Sequence, residues 1–574
     1  MQTSRHCLLS LGLLAACQAV EDADPDPVVA EVELASTAQP DGDDVPPDDL
    51  EPLAGCNGSP ATFQVNAASP VGGPLVGFGA QFNSYLFHPA GRFNQAKVGA
   101  LAEKLRELRP QHVRIFFTSK ALRDPALLTS FSRTVALAQS AGATINVTWW
   151  HGPYKGTPGT AAFGKEEMER FADVLENELA AGHTSIKYVT VQNEPNRTKF
   201  NSHKKDLLQL YKNLDTALEA RGIRSRLSVV WEITRGYPGT KSWFKDWLEV
   251  IGPGAPGVID AYAFHIYWDH DMWDVVRDKR IKEIKDAIAA LPAAQRRPVF
   301  VTEFGTRGEP DANKGTMPWP GWHKAKCTAG KAGCRRILDT TEAGVNNAWF
   351  QVVGARAGFR AFVYWDAYWT MYGKTEQHWS MIGKTLAARP TYHVQRLFSH
   401  VVPTGWNAVS VSGPTRQHLR STAFRGGSDL TVVGVNKSTC GTTFRYSGLP
   451  AGKKMFVLVW NDDGSGTICS RGLKTATGGA MSVPIHARSV IALTTRAPGL
   501  QVPACSARGT SGGGGGDDPV CGDGDCEGGE TDATCGKDCG CAADACGSVA
   551  PFGCYCDATC SETGDCCADV GVCQ

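Results

Sequence analysis

From residue 75 to about 402, short apolar runs alternate with longer amphipathic stretches, and this alternation leaves few folds open to the chain. The apolar runs cover 75–83, 112–117, 143–150, 187–193, 227–233, 259–267, 298–303 and 360–366. They are continuous and rich in β-branched residues, as expected of strands buried on both faces. Helical periodicity fills the intervals 94–109, 125–141, 164–181, 204–221, 242–251, 277–290 and 334–356. Eight such units in one stretch fit the α/β class as a (β/α)8 barrel better than an open doubly wound sheet. No Gly-x-Gly-x-x-Gly opens the first helix, so a dinucleotide fold has no support.

Beyond 402 the texture changes. Short strands at 408–412, 418–424, 429–436, 442–446, 454–460 and 488–495 are separated by Gly and Asn turns, which reads as a β-sandwich over 403–504 packed on the barrel of 56–402. The segment 61–66 is a candidate extra strand for that sandwich. A Gly-rich linker at 505–520 then leads to a small Cys-rich tail, with one repeat at 521–540 and a module at 541–574.

The formal net charge is zero, but the signs are segregated along the chain. Residues 17–55 hold 12 acidic side chains and no Lys or Arg, and residues 505–574 hold 13 against two basic ones. The body between them, 56–504, carries 55 basic and 33 acidic residues, a net of +22. The 17–55 segment is also Pro-rich and nearly free of aromatics, so it reads as a solvated, disordered tether. Before it, Arg5 precedes a short apolar run ending in small residues, a secretory signal pattern over 1–16 that is too short to span a bilayer. Leu14-Ala15-Ala16-Cys17 resembles a bacterial lipobox, which implies lipidation of Cys17, peripheral membrane attachment, and an outer-membrane, cell-surface or extracellular location. An ordinary signal peptide that happens to contain a Cys is the plainer alternative.

Cysteine parity agrees with export. Of 20 Cys, Cys7 leaves with the signal and Cys17 takes lipid, and the remaining even number suits disulfides in an oxidising compartment. The expected pairs in the body are Cys56–Cys505, tying its ends together, Cys327–Cys334 and Cys440–Cys469. The tail pattern Cys541, Cys546, Cys554-Tyr555-Cys556-Asp557, Cys560, Cys566-Cys567 and Cys573 resembles a somatomedin B module, which implies protein contacts. Cys521-Gly-Asp-Gly-Asp-Cys526 with Cys535 and Cys539 is similar to a short repeat of exported bacterial proteins. Its acids, Asp523, Asp525 and Glu530, are read as solvated groups on a disulfide knot in preference to calcium ligands.

Chemistry in such a barrel sits at the C-terminal ends of the strands. Glu194 ends the fourth strand in Val191-Gln192-Asn193-Glu194-Pro195-Asn196, and Glu303 ends the seventh in Val299-Phe300-Val301-Thr302-Glu303-Phe304-Gly305. Two carboxylates projecting into one cleft are what glycosidic cleavage requires. Asn193-Glu194-Pro195 together with Thr302-Glu303-Phe304-Gly305 resembles clan A of the retaining glycoside hydrolases, and the appended sandwich makes the chain similar to families 30, 39 and 5. The resemblance implies that Glu194 is the acid/base, Glu303 the nucleophile, and Asn193 a ligand of the sugar 2-hydroxyl. It further implies that Arg114 in the second strand and the His265-Ile266-Tyr267 run in the sixth surround the nucleophile. With the carboxyls about 5–5.5 Å apart, ionised Glu303 would keep Glu194 protonated. Glu232 near the end of the fifth strand is a third acid in reach, suited equally to substrate or to a salt bridge.

Aromatic side chains fit a carbohydrate cleft, because sugar rings stack on indole. Trp149, Trp150, Trp268, Trp273, Trp319, Trp322, Trp365, Trp369 and Trp379 lie at strand ends or in the loops after them. Trp365 is the first choice of platform, followed by Trp150 with His151, while about half of the set is expected to be packing. The implied activity is endo-acting hydrolysis of a polysaccharide, an acidic one if the basic excess lines the cleft. An exo-acting glycosidase of family 39 type and a non-catalytic carbohydrate-binding adhesin are the alternatives. No Gly-x-Ser-x-Gly or His-Glu-x-x-His occurs, and no cofactor, metal or nucleic-acid partner is expected.

Overall fold

The structure, a computed structural model, describes residues 60–505 apart from 92–94, 151–153, 235–242, 268–273, 306–339, 369–379, 384, 415–417, 439 and 463. The expected signal, tether, linker, repeat and somatomedin-like module therefore lie outside the described residues, as do Cys17, Cys56, Cys327, Cys334 and His151. Trp268, Trp273, Trp319, Trp322, Trp369 and Trp379 lie outside them as well.

The first strand, β1 (Ala61–Val71), alternates buried and exposed residues along its first half and so has one core face. Strands β2 (Gly77–Phe82), β3 (His112–Thr118), β4 (Thr144–Trp150), β5 (Ile186–Thr190), β6 (Ser228–Thr234), β7 (Ala261–Tyr267), β8 (Val299–Gly305) and β9 (Ala361–Tyr364) close into a parallel barrel in chain order. β9 returns to pair with β2, so this sheet has no free edge. Continuous burial along β2, β4 and β8 accounts for the unbroken apolar runs.

The connecting helices are α1 (Val98–Leu108), α2 (Pro125–Ser140), α3 (Lys165–Ala180), α4 (Lys204–Ala220), α5 (Phe244–Ile251), α6 (Asp274–Ala290), α7 (Thr341–Arg356) and α8 (Pro390–Val401). The start of α2 is determined locally: Asp124 caps it by accepting from the Leu127 amide, and Pro125 occupies the first turn, where its missing N–H costs nothing. No sequence expectation covered α8. Its buried face carries Thr391, Gln395 and Ser399 among the apolar residues. Gln395 and Ser399 are satisfied internally, Ser399 by donating to the Leu108 carbonyl at 2.8 Å. Gln351 of α7 donates to Gln395 at 3.0 Å, and Gln395 donates to the Gly79 carbonyl at 2.9 Å, tying both helices to β2.

Strands β10 (Asn407–Ser412), β11 (Leu419–Gly426), β12 (Asp429–Asn436), β13 (Thr442–Ser447), β14 (Lys454–Trp460), β15 (Ile468–Thr475), β16 (Met481–Ile485) and β17 (Ser489–Thr494) join β1 in one nine-stranded sheet. Its order is β15-β14-β17-β12-β11-β10-β1-β13-β16. The sheet curls over so that Tyr446 of β13 accepts a hydrogen bond from Ser421 of β11 at 3.2 Å, and a side chain at Gly434 of β12 would collide with Phe444 and Tyr446. Strands β15 and β16, absent from the sequence expectation, are the two edges of the sheet. An edge strand need not be apolar on both faces, and it tolerates Pro484.

One core runs from the barrel through α7 and α8 to the outer face of this sheet, opposite the one that carries Phe444 and Tyr446: Phe78 meets Phe424 at 6.0 Å, and Arg356 donates to the Ser421 carbonyl at 2.7 Å. The helix-to-sheet approach is close enough that any side chain at Gly344 would overlap Trp460.

The disulfides differ from the expectation. Cys469 pairs with Cys505, so neither Cys56–Cys505 nor Cys440–Cys469 forms; Cys440 is disulfide-bonded elsewhere. The cause is strand pairing: the Pro503 carbonyl accepts from the Ser470 amide and the Cys505 amide donates back to Ser470, which brings the Cys505 and Cys469 Cα atoms to 4.8 Å. Among the described residues no helix is long and apolar enough to cross a membrane.

Candidate active site

Arg114 points from β3 into the barrel with no exposed side-chain surface. Its guanidinium spends its donors on five acceptors. Nε donates to Thr148 at 3.1 Å, Nη1 to Glu303 at 2.8 Å and to Gln81 at 3.4 Å, and Nη2 to Asn193 at 2.6 Å and to Glu232. Its carbon lies 4.6 Å from the centre of the Phe116 ring. This one side chain therefore sets the positions of groups on β2, β4, β6, β8 and the loop after β5.

Glu303 sits inside β8 with a 7% exposed side chain. Arg114 holds one of its oxygens and the Tyr267 hydroxyl donates to the other. Glu194 lies four residues beyond the end of β5, earlier than the expected strand end, and is held differently. It adopts a left-handed backbone with φ +43°, uncommon for a residue with a Cβ, immediately before the turn 195–197. Asn196 secures that turn: it donates to the Thr234 carbonyl at 2.9 Å and accepts from the Thr234 amide at 3.0 Å, tying the loop to the end of β6. Glu194 Oε1 is 3.0 Å from His265 Nδ1, and its Oε2 accepts from Arg197 at 3.2 Å.

One carboxylate oxygen of Glu194, one of Glu303 and a ring nitrogen of His265 lie within 4.8 Å of one another. The structure thus brings together Arg114, Asn193, Glu194, His265, Tyr267 and Glu303. It also decides Glu232: with no exposed side-chain surface, it is an ion-pair partner of Arg114, and its second oxygen is 3.5 Å from His265 Nε2.

The electrostatics run opposite to the sequence expectation for the acid and the nucleophile. Burial would raise the Glu194 carboxyl, but the hydrogen bond and charge of His265, with Arg197, outweigh it and pull the value down to about 2. Burial raises Glu303, and the adjacent Glu194 charge adds to that against the opposing effects of His265 and Arg114. Burial alone would discharge His265, yet the charge of Glu303, the hydrogen bond of Glu194 and the charge of Glu232 lift it to about 9. The proton therefore rests on His265 rather than on Glu194.

That cation also bears on metal binding. Glu194, His265 and Glu303 offer three donors, but a divalent ion there would have to displace the imidazolium proton and face Arg114, so the set suits proton transfer. Asp462 with Cys469 and Cys505 is no better, because both sulfurs are in the disulfide and Arg471 occupies Asp462.

The aromatic residues divide. Trp150 and Trp365 form a cluster with Phe116 beside Arg114: Phe116 stacks on Trp150 at 4.7 Å, and Trp365 lies tilted 5.5 Å from Phe116. Both indoles present only a thin edge, 7% and 8% exposed. Trp149 is fully buried against Phe117 and Phe171 and is packing. Asp366, next to Trp365, was not anticipated; burial pushes its carboxyl up to about 7. Arg197, Gln81 and Thr148 also escaped the sequence, the first because its link to Glu194 depends on the 195–197 turn.

Residues 160–318 match the family model described as glycosyl hydrolase catalytic core. No curated protein matches the chain. Solved structures match over most of it. A family 30 endoxylanase from Clostridium papyrosolvens C71 is 13% identical with a TM-score of 0.52, over 76% of this chain and 100% of that one. A family 51 α-L-arabinofuranosidase from Bifidobacterium longum is 13% identical with a TM-score of 0.53, over 76% and 100%. A family 51 arabinofuranosidase from Xanthomonas axonopodis pv. citri is 12% identical with a TM-score of 0.54, over 76% and 99%. The fold is shared with these enzymes. At this identity the likeness carries the architecture, a barrel with an added β-domain, and the chemistry must be judged from the side chains.

Proposed function

We propose that the chain is a retaining glycoside hydrolase that cleaves a polysaccharide from within by double displacement. The reading is carried by one observation: carboxylate oxygens of Glu194 and Glu303 approach within 4.8 Å at the C-terminal mouth of a closed barrel, and Arg114 and Tyr267 orient the second. Such closeness fits the spacing of a retaining pair, about 5–5.5 Å, and falls short of the roughly 6.5–9.5 Å at which an inverting pair accommodates water and sugar together. Glu303 attacks the anomeric carbon, and Glu194 protonates the departing oxygen. Water activated by Glu194 then displaces the ester and restores both groups. Asn193, kept by Arg114 beside the pair, is placed for the 2-hydroxyl, and the exposed edges of Trp150 and Trp365 for an apolar sugar face.

Purified protein incubated with a polysaccharide panel, xylan and arabinan first because of the neighbours' activities, should release reducing ends, and NMR of the first product should show retained anomeric configuration. Glu303→Gln should lose turnover by several orders of magnitude while keeping its fold, and Glu194→Gln should retain activity only on substrates with good leaving groups. Unchanged hydrolysis by Glu303→Gln would refute the assignment. We further propose export, with lipid on Cys17 as the anchor; the Cys469–Cys505 disulfide supports an oxidising compartment.

A further inference from the structure

His265 stands between three carboxylates. Its Nδ1 lies 3.0 Å from Glu194 and 3.5 Å from Glu303, and its Nε2 lies 3.5 Å from Glu232. An imidazole whose two nitrogens both face carboxylates satisfies them only as the cation, because either neutral tautomer turns a lone pair toward an anion. Among the described residues, Glu232 is the carboxylate within ion-pair distance of Nε2. It has no exposed surface, and its other oxygen is taken by Arg114. Keeping a carboxylate there costs desolvation that an apolar residue would avoid, so stability alone is a poor reason for its presence.

We propose that Glu232 is a positioning residue: by holding its negative charge 3.5 Å from Nε2 of His265 it keeps on that ring the proton which Glu194 delivers to the leaving group. This rests on the glycosidase reading of Glu194 and Glu303. The step balances without outside reagents. His265 Nδ1–H passes its proton across 3.0 Å to Glu194 Oε1 as substrate displaces water, leaving a neutral ring and a neutral carboxyl. The Glu194 O–H then breaks as the glycosidic oxygen takes that proton. In the second half-reaction the incoming water returns a proton to Glu194, and it flows back to His265. Glu232 stays an anion throughout, and its fixed pairing with Arg114 keeps it from taking the proton itself. The raised value of His265 and the lowered values of Glu194 and Glu232 agree with this division of charge.

Among the described residues, the charged and titratable groups facing this relay come from several elements. Glu194 and Arg197 come from the loop after β5, Arg114 from β3 and Glu303 from β8; Tyr267 of β7 lies on Glu303. Tyr211 of α4 lies against Glu232, and Asp366 acts on Glu303. Removing the Glu232 charge while keeping its shape should therefore lower the His265 titration by about one unit or more, since an adjacent opposite charge is worth that much.

The test uses the full chain with labelled histidine, followed by NMR, in parallel with the pH dependence of kcat/KM. One of the 14 histidines, identified by its loss in His265→Asn, should be an imidazolium at pH 7 and titrate well above an ordinary imidazole. In Glu232→Gln that titration and the basic limb of kcat/KM should both move down by at least about one unit, and Glu232→Asp should restore much of the shift. A neutral His265 at pH 7 in the unaltered protein overturns the proposal even if Glu232→Gln fails to fold, and so does a basic limb that Glu232→Gln leaves in place. Absence of hydrolysis on every sugar would instead sink the glycosidase reading, while the titration still decides whether Glu232 controls His265.

Discussion

Arg114→Met should destabilise the protein in a way that depends on pH, and the contacts of Arg114 set the size of the effect. The methionine fills much of the volume but leaves Glu232, with no exposed side-chain surface, facing no cation at its Oε1. Stranding one partner of a buried pair costs about 3–5 kcal/mol. A buried carboxyl can escape part of that cost by taking up a proton. With an unfolded value near 4.3 and 1.36 kcal/mol per unit, neutralisation costs about 3.7 kcal/mol at pH 7 and about 0.3 kcal/mol at pH 4.5.

The sign in the unaltered protein is the reverse. Burial opposes ionisation of Glu232, but the Arg114 charge and His265 hold its folded value below the ordinary one. Its contribution is therefore fully present above the unfolded value near 4.3 and is lost as pH falls through the lower folded value. Both effects narrow the gap between the two proteins on acidification. Urea unfolding followed by tryptophan fluorescence at pH 7.0, 5.5 and 4.5 should give a difference of about 3–5 kcal/mol at pH 7 that shrinks to about 1 kcal/mol by pH 4.5. Arg114→Met with Glu232→Gln should recover part of the loss at pH 7, as expected for coupled neighbours. A gap independent of pH, or a double variant no more stable than Arg114→Met, would refute the reasoning.

Two further outcomes are open to direct measurement. Non-reducing peptide mapping should recover Cys469 joined to Cys505 and Cys440 joined to some cysteine other than Cys469, and Cys505→Ser should lower stability by about 4 kcal/mol for a closed loop of 36 residues. If the +22 body lines the cleft with cations, activity on a uronate-bearing polymer should fall as salt rises while activity on a neutral polymer stays level; equal salt responses would place the excess charge on the outer helices.

The barrel was legible because its strands are buried on both sides. Such runs, β4 and β7 among them, are mostly apolar, and their edges came out within a residue or two of the expected positions. The second domain was half legible. Central strands such as β12 and β14 carry the β-branched runs, whereas the edges β15 and β16 have too little apolar surface to stand out. In the site, Glu194 and Glu303 were visible through their neighbours in sequence, Asn193-Glu194-Pro195 and Thr302-Glu303-Phe304-Gly305. The order of their acidities was not, since it depends on where His265 and Arg197 sit relative to each oxygen.

By itself, the sequence determined the fold class and the chemical types available at the strand ends, because burial period and strand-end carboxylates are local properties of a chain. Only the tertiary structure decided how those groups share charge. Coulombic interaction depends on distance through space, and a buried guanidinium on β3 meets carboxylates from β6 and β8 only once the barrel has closed. The same holds for the disulfides: the positions of the cysteines along the chain suggested Cys56–Cys505 and Cys440–Cys469, but the backbone pairing of Ser470 with residues 503–505 brought Cys469 to Cys505 instead.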